Sequence, residues 1–279
     1  MDFFYTKIEN SGPATARIGI KGHAPLSQFL NSSFILQFRE IINLQNVRKV
    51  FDNNEVIKNC NMSVKKGSIY GFLGRNGAGK TTVLKLIAGL LQPTSGTIKV
   101  FGMSMLTDRN KILKKMGCLI ESPVFFEQMS AEENLKIHLA YMGVSGLNIS
   151  SVLAQVGLDN IGNLPVSKFS LGMKQRLAIA RSIIHEPELL LLDEPINGLD
   201  PVGIKEMRDL FCHLSKEYGM TIVISSHILS EIEQIADTIG IIEKGKIIKE
   251  TERLHSQEGT ENLEQYFLET LQGGQNIDT

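Results

Sequence analysis

Long apolar runs are missing from this sequence of 279 residues: runs such as Leu189–Leu192 and Thr221–Ile224 span only four residues each. A membrane-crossing helix needs roughly 20 such residues. Any membrane role therefore requires another chain to do the crossing. Cysteine is scarce, with Cys60, Cys118 and Cys212 far apart in mostly apolar text. That spacing excludes a disulfide framework or a cysteine metal cage and predicts buried thiols in a reducing compartment. Neither sign of charge is in excess, with 29 basic against 30 acidic residues. Such a balance gives no general attraction to nucleic acid or anionic lipid, and no nucleic-acid partner is expected. The amino-terminal text also lacks a basic start followed by an apolar core, so it is not read as a secretion signal. These absences together predict a soluble cytoplasmic protein.

Regular patterning is itself missing from residues 1–40, which scatter Gly, Ser and Asn with no sustained period, and a poorly ordered extension is expected there. From Ile41 the text changes. Ile41–Val47 alternates as a strand, Val56–Val64 gives a second, and Ile69–Leu73 is an apolar third. Pro93–Gly96 reads as a turn before a short strand, Thr97–Val100. Helix-spaced apolar positions at Asn134–Ala140 and Val152–Val156 place a helical insert at about 104–185. Leu189–Leu192 and Thr221–Ile224 then read as strands buried on both faces of a parallel sheet. Strands alternating with helices predict an α/β fold.

The strongest chemical feature is Gly74-Arg75-Asn76-Gly77-Ala78-Gly79-Lys80-Thr81-Thr82, set between the third strand and a helical pattern at Val83–Ile87. This is the G-x-x-x-x-G-K-[ST] phosphate loop in the context it requires. Its glycines let backbone N–H groups close around a phosphate, and the helix presents its positive end to the same anion. Lys80 is placed to reach the β- and γ-phosphates of a nucleotide, and Thr81 to ligate a phosphate-bound Mg²⁺. The second feature is Leu189-Leu190-Leu191-Leu192-Asp193-Glu194, which sets two carboxylates at the strand edge where α/β proteins bind ligands. Asp193 suits the Mg²⁺ shell and Glu194 the polarisation of an attacking water. A solvated acidic pair capping a strand is the competing reading.

Further stretches have two readings each when taken alone. Phe169-Ser170-Leu171-Gly172-Met173-Lys174-Gln175-Arg176 is either an anion-binding helix start, through Ser170 and the Gly172 backbone, or an ordinary capped amphipathic helix. Asn197-Gly198-Leu199-Asp200-Pro201 has turn chemistry. His227 closes the strand text TIVISSH, where a lone histidine is usually structural. Phe51 is either core packing or a flat partner for a base. Phe125-Phe126-Glu127-Gln128-Met129 is either an exposed contact loop or a surface loop with its aromatics turned inward.

In this order, over residues 41–270, these stretches resemble the nucleotide-binding subunits of ATP-binding cassette transporters. The resemblance implies a phosphate-loop sheet core with an antiparallel β subdomain and a helical subdomain, followed by a flexible tail at 271–279. It implies that Ser170 and Gly172 contact the γ-phosphate held by a second, identical subunit, that the Asp200 loop carries communication between the two, and that His227 orients the γ-phosphate. Phe51 falls where the family stacks an aromatic on adenine. The family's commonest wording has glycine at Leu171 and glutamine at Met173. It also has glutamine at Glu121, where a carboxylate is a harder oxygen ligand for Mg²⁺. Glu121 and the FSLGMKQR wording are similar to the ATPases of bacitracin and lantibiotic self-protection exporters. The implied partner is a membrane permease received beside Phe125–Met129, at the cytoplasmic face of a bacterial membrane. One phosphate loop, one acidic strand end and no heptad insertion count against a tandem or coiled-coil cassette acting on DNA or the ribosome.

Overall fold

The computed structural model describes residues 40–252. The expected extension at 1–40, apart from Glu40, the tail at 271–279 and the end of the cassette text near 270 lie outside those residues.

Two sheets organise the chain. The first is antiparallel, in the order β2-β1-β4-β5, built from β1 (Glu40–Phe51), β2 (Asn54–Lys65), β4 (Ser95–Val100) and β5 (Met103–Ser104). Asp52 and Asn53 close the β1–β2 hairpin with φ of 42° and 73°. Two left-handed central residues give the turn that matches strand twist, and Asn and Asp tolerate it. The second sheet runs β10-β9-β3-β8-β7-β6, from β3 (Ile69–Leu73), β6 (Met116–Leu119), β7 (Leu189–Asp193), β8 (Thr221–Ser226), β9 (Thr238–Glu243) and β10 (Lys246–Glu252). Its strands pair parallel from β9 to β6, and β10 closes one edge antiparallel.

Alternation along these strands divides the core. Leu190, Leu192, Ile222 and Ile224 face one apolar cluster, and Leu189, Leu191, Val223, Tyr70 and Phe72 the other. The first is covered by α3 (Ala131–Met142), α5 (Leu171–Ile183), α6 (Pro201–Tyr218) and α7 (Leu229–Ile232), with α4 (Ile149–Gln155) contributing Leu153. The second is covered by α1 (Lys80–Ile87), by Ile112 of α2 (Arg109–Leu113) and by the antiparallel sheet. Burial on both faces explains why the central strands read as unbroken apolar text.

The expected helical insert starts too early. Residues 104–119 carry the end of β5, α2 and β6, and β6 pairs parallel with β7. Four residues, one of them Gly117, are too short to show a strand period. That glycine has a packing reason, since a Cβ there would lie 2.1 Å from the Ser182 carbonyl oxygen on α5. Helix text proper begins at Ser130, whose hydroxyl accepts from the Glu133 N–H while the Glu133 carboxylate accepts from the Ser130 N–H. This reciprocal box fixes the start of α3. The thiols also differ from expectation: Cys60 is buried, whereas Cys118 and Cys212 are only partly so, and none of the three is in a disulfide. Burial pushes Cys60 and Cys118 up to about 12, which leaves them protonated and unreactive.

Candidate nucleotide site

The phosphate loop leaves β3 at its carboxyl end, between β8 and β9. Gly74 donates to the Ser226 carbonyl at 3.2 Å, and a Cβ on Gly74 would come within 2.6 Å of the Ile242 carbonyl oxygen, so only a bare backbone passes there. Gly77 and Gly79 have φ of 80° and 110°, the left-handed region where side chains are disfavoured. Gly79 caps α1, whose first-turn N–H groups have no acceptor one turn earlier. An anion is the natural partner for such a helix end.

Lys80 is only 5% exposed. Its Nζ donates to the carbonyls of Gly74 at 2.6 Å and Arg75 at 3.2 Å. It also lies 3.1 Å from Glu194 Oε1, an ion pair without hydrogen-bond alignment. The loop thus curls its own carbonyls round the cation that would meet a phosphate. One residue on, Thr81 Oγ1 donates to Asp193 Oδ2 at 2.7 Å. Hydroxyl and carboxylate together form a small set of hard oxygens, the chemistry that suits an ion arriving on a nucleotide's phosphates. Among the described residues no group of three or more His, Cys, Asp or Glu could hold a metal by itself.

Glu194 follows Asp193 in a left-handed conformation, φ 48°. Its Oε2 lies 2.8 Å from His227 Nδ1. Lys80, Thr81, Asp193, Glu194 and His227 are therefore one contiguous cluster. Beside it, Glu231 accepts from Ser226 Oγ at 3.3 Å, and burial raises its carboxyl above the ordinary range.

Three predicted positions sit apart from that cluster. Phe51, at the end of β1, is 38% exposed, with the Lys49 ammonium 4.7 Å from its ring centroid. Glu121, φ 67°, is exposed and ion-paired with Lys85, one turn beyond Thr81 on α1; that contact is not with the Thr81–Asp193 pair. Asp200 caps α6, accepting from Gly203 N–H at 2.7 Å, ahead of Pro201 in the first turn.

Ser170 caps α5, accepting from Met173 N–H at 3.2 Å. The start of this helix is tied to the loop that follows the acids. Gln175 donates to the Pro195 carbonyl at 2.7 Å, and a Cβ on Gly198 would stand 3.2 Å from Leu171 Cδ2. Arg176 fastens the same helix elsewhere, to the Val156 carbonyl at 2.7 Å and Glu206 at 2.5 Å. The Phe125–Met129 loop divides the two readings it had: Phe126 is 52% exposed, while Phe125 packs on the core beneath the Arg181 guanidinium at 4.7 Å. Asn134, buried on α3, pins Phe126 by accepting from its N–H at 2.8 Å and donating to its carbonyl at 3.1 Å.

The ABC transporter family matches residues 57–197. The bacitracin transport ATP-binding protein BcrA of Bacillus licheniformis is 51% identical over 211 residues, 75% of this chain and 69% of that protein. The lantibiotic transport ATP-binding protein SrtF of Streptococcus pyogenes is 47% identical over 227 residues, 81% of this chain and 96% of that protein. A bacterial ABC transporter cassette solved as a dimer, MJ0796, superposes with a TM-score of 0.69 at 25% identity, covering 76% of this chain and 98% of that one. None of the helices among the described residues is long and apolar enough to cross a membrane. The chain belongs to the ABC transporter family, as an ATP-binding and ATP-hydrolysing component.

Proposed function

We propose that this ATPase drives export of an antimicrobial peptide of the bacitracin or lantibiotic type through a separate membrane permease, protecting a bacterial cell from that peptide. The observation that carries the cargo is the similarity to BcrA and SrtF, which in the second case spans 96% of the relative. Residues at the site support the engine. The glycine loop and Lys80 would hold the phosphates, Phe51 the adenine, and Thr81 and Asp193 the Mg²⁺, with Glu121 as a further oxygen. Bound Mg²⁺ supplies neutralisation of phosphate charge. Glu194 accepts a proton from the attacking water while His227, 2.8 Å away, fixes its direction. Ser170 and Gly172 would face the γ-phosphate on a second copy, so that a complete site exists only when two chains close. Closure would be passed to the permease, at the cytoplasmic face of the membrane, through the exposed Phe126 and Met129.

The test deletes the gene in its host and measures growth against a panel of bacitracin and lantibiotics, with wild-type and Glu194→Gln complementation. Sensitivity rescued by wild type alone is the expected result. Unchanged tolerance, with the protein shown to be expressed, would reassign the cargo to a lipid, drug or polysaccharide and leave the ATPase standing.

A further inference from the structure

Ser225 lies on β8 directly beside Asp193 in the parallel register with β7. It has no exposed surface at all. Its hydroxyl donates to Asp193 Oδ1 at 2.6 Å and accepts from the Glu194 backbone N–H at 2.9 Å. We propose that Ser225 is a positioning residue for ATP hydrolysis, one hydroxyl that sets both the carboxylate facing the metal and the turn that aims Glu194. The inference rests on the roles given above to Asp193 and Glu194.

The hydroxyl acts as both donor and acceptor. Its single proton goes to Asp193, and one of the two lone pairs on its oxygen takes the Glu194 N–H. With Oδ1 engaged by Ser225, Oδ2 is the oxygen turned to Thr81. The Asp193 carboxylate therefore has a fixed rotation about its own axis. Glu194 needs such a hold for a separate reason. A side-chain-bearing residue at φ 48° persists only where its surroundings over-determine it, and the bond from its N–H to Ser225 is the constraint at that peptide. That turn sends the Glu194 side chain out of the strand direction toward Lys80 and His227. Ser226, the next residue, serves elsewhere: its hydroxyl accepts from Ile228 N–H at 3.0 Å. Two adjacent serines thus do different work. A strand buried on both faces has no need of a polar side chain at Ser225, and a serine there is costly unless fully bonded.

The full chain would be prepared with Ser225→Ala, Ser225→Cys and Ser225→Thr. Two quantities would be read: steady-state ATP turnover against ATP and Mg²⁺, and hydrogen–deuterium exchange at the Glu194 amide without nucleotide. Loss of an outer partner of a metal-facing ligand costs roughly ten- to a hundredfold. Ser225→Ala should lower kcat by that factor with the KM for ATP nearly unchanged, raise the Mg²⁺ needed for half-maximal rate, and speed exchange at Glu194. Ser225→Cys, close in size with a weak donor, should follow Ala, and Ser225→Thr should retain most of both properties. Wild-type turnover and exchange in Ser225→Ala would overturn the proposal. So would equal losses in all three variants together with lowered melting temperatures, which would make the site a matter of packing. If wild type itself fails to turn over ATP, the ATPase reading fails, while exchange at Glu194 still decides what Ser225 holds.

Discussion

The Lys80 ammonium and the Glu194 carboxylate stand 3.1 Å apart at the mouth of the phosphate loop. One opens α1, just past the loop that follows β3, and the other lies in the turn after β7, so strand pairing through β8 brings them together. Because Lys80 is almost fully buried, its charge needs the loop carbonyls and this carboxylate for compensation. Glu194 consequently has two neighbours of different kind, the ammonium on Oε1 and the imidazole on Oε2.

Glu194→Gln removes the proton acceptor and preserves shape. Phosphate release should fall at least a hundredfold, in line with the roughly 10²–10⁴ contribution of general base catalysis. ATP binding, followed by fluorescence of a nucleotide analogue, should persist. Loss of binding in parallel with turnover would show that Glu194 serves the loop and not the water.

Phe51→Ala takes away a half-exposed ring at the end of β1. Stacking of a base on an aromatic contributes about 1–3 kcal/mol by alanine substitution. The dissociation constant for ATP should rise by roughly five- to 150-fold, with Phe51→Tyr close to wild type, as measured by calorimetric titration. Unaltered affinity in the alanine variant would show that Phe51 does not stack on the base.

Gly117→Ala tests how closely β6 and α5 are fitted. The added Cβ would meet backbone, the Ser182 carbonyl oxygen, 2.1 Å away, so no side-chain rotation relieves it. Overpacking of this kind costs about 1–3 kcal/mol, more where backbone must move. Urea unfolding should show the midpoint falling accordingly, and a midpoint equal to wild type would mean that α5 shifts freely on the sheet.

Acid should weaken the fold through His138. Burial, with Arg181 and His185 as further causes, holds its imidazole down to about 4, against an ordinary 6.5, and burial also lowers His185. The unfolded chain then binds the proton first. Stability from this group is complete above pH 6.5 and is lost as pH falls toward about 4. Thermal melts at pH 7 and pH 5 should show a smaller drop for His138→Gln than for wild type. Identical drops would place the acid sensitivity in other groups.

Much of this was open to a reader of the letters. The strands at Ile69–Leu73, Leu189–Leu192 and Thr221–Ser226 were legible because burial on both faces leaves central runs of apolar residues, with polar ones only toward the ends of the last. The phosphate loop and the acids were legible because their chemistry fixes residue type and spacing together. What stayed hidden was carried by register. That Ser225 faces Asp193, or that Gln175 reaches the Pro195 carbonyl, depends on which strand lies beside which and on helix orientation. A polar residue inside an apolar strand is the one letter-level sign that could have singled out Ser225. The left-handed turn at Glu194 has no such sign, since glutamate does not announce it. β6 was missed because a strand of four residues with a glycine has too few positions for any period to show.

Gln175 holds the start of α5 against the loop after the acids, through the Pro195 carbonyl. The helix end carrying Ser170 and the turn carrying Glu194 thereby lose their independent freedom at folding. In the closure proposed above, two copies would meet with these segments already ordered, and the entropy of ordering them would not oppose association.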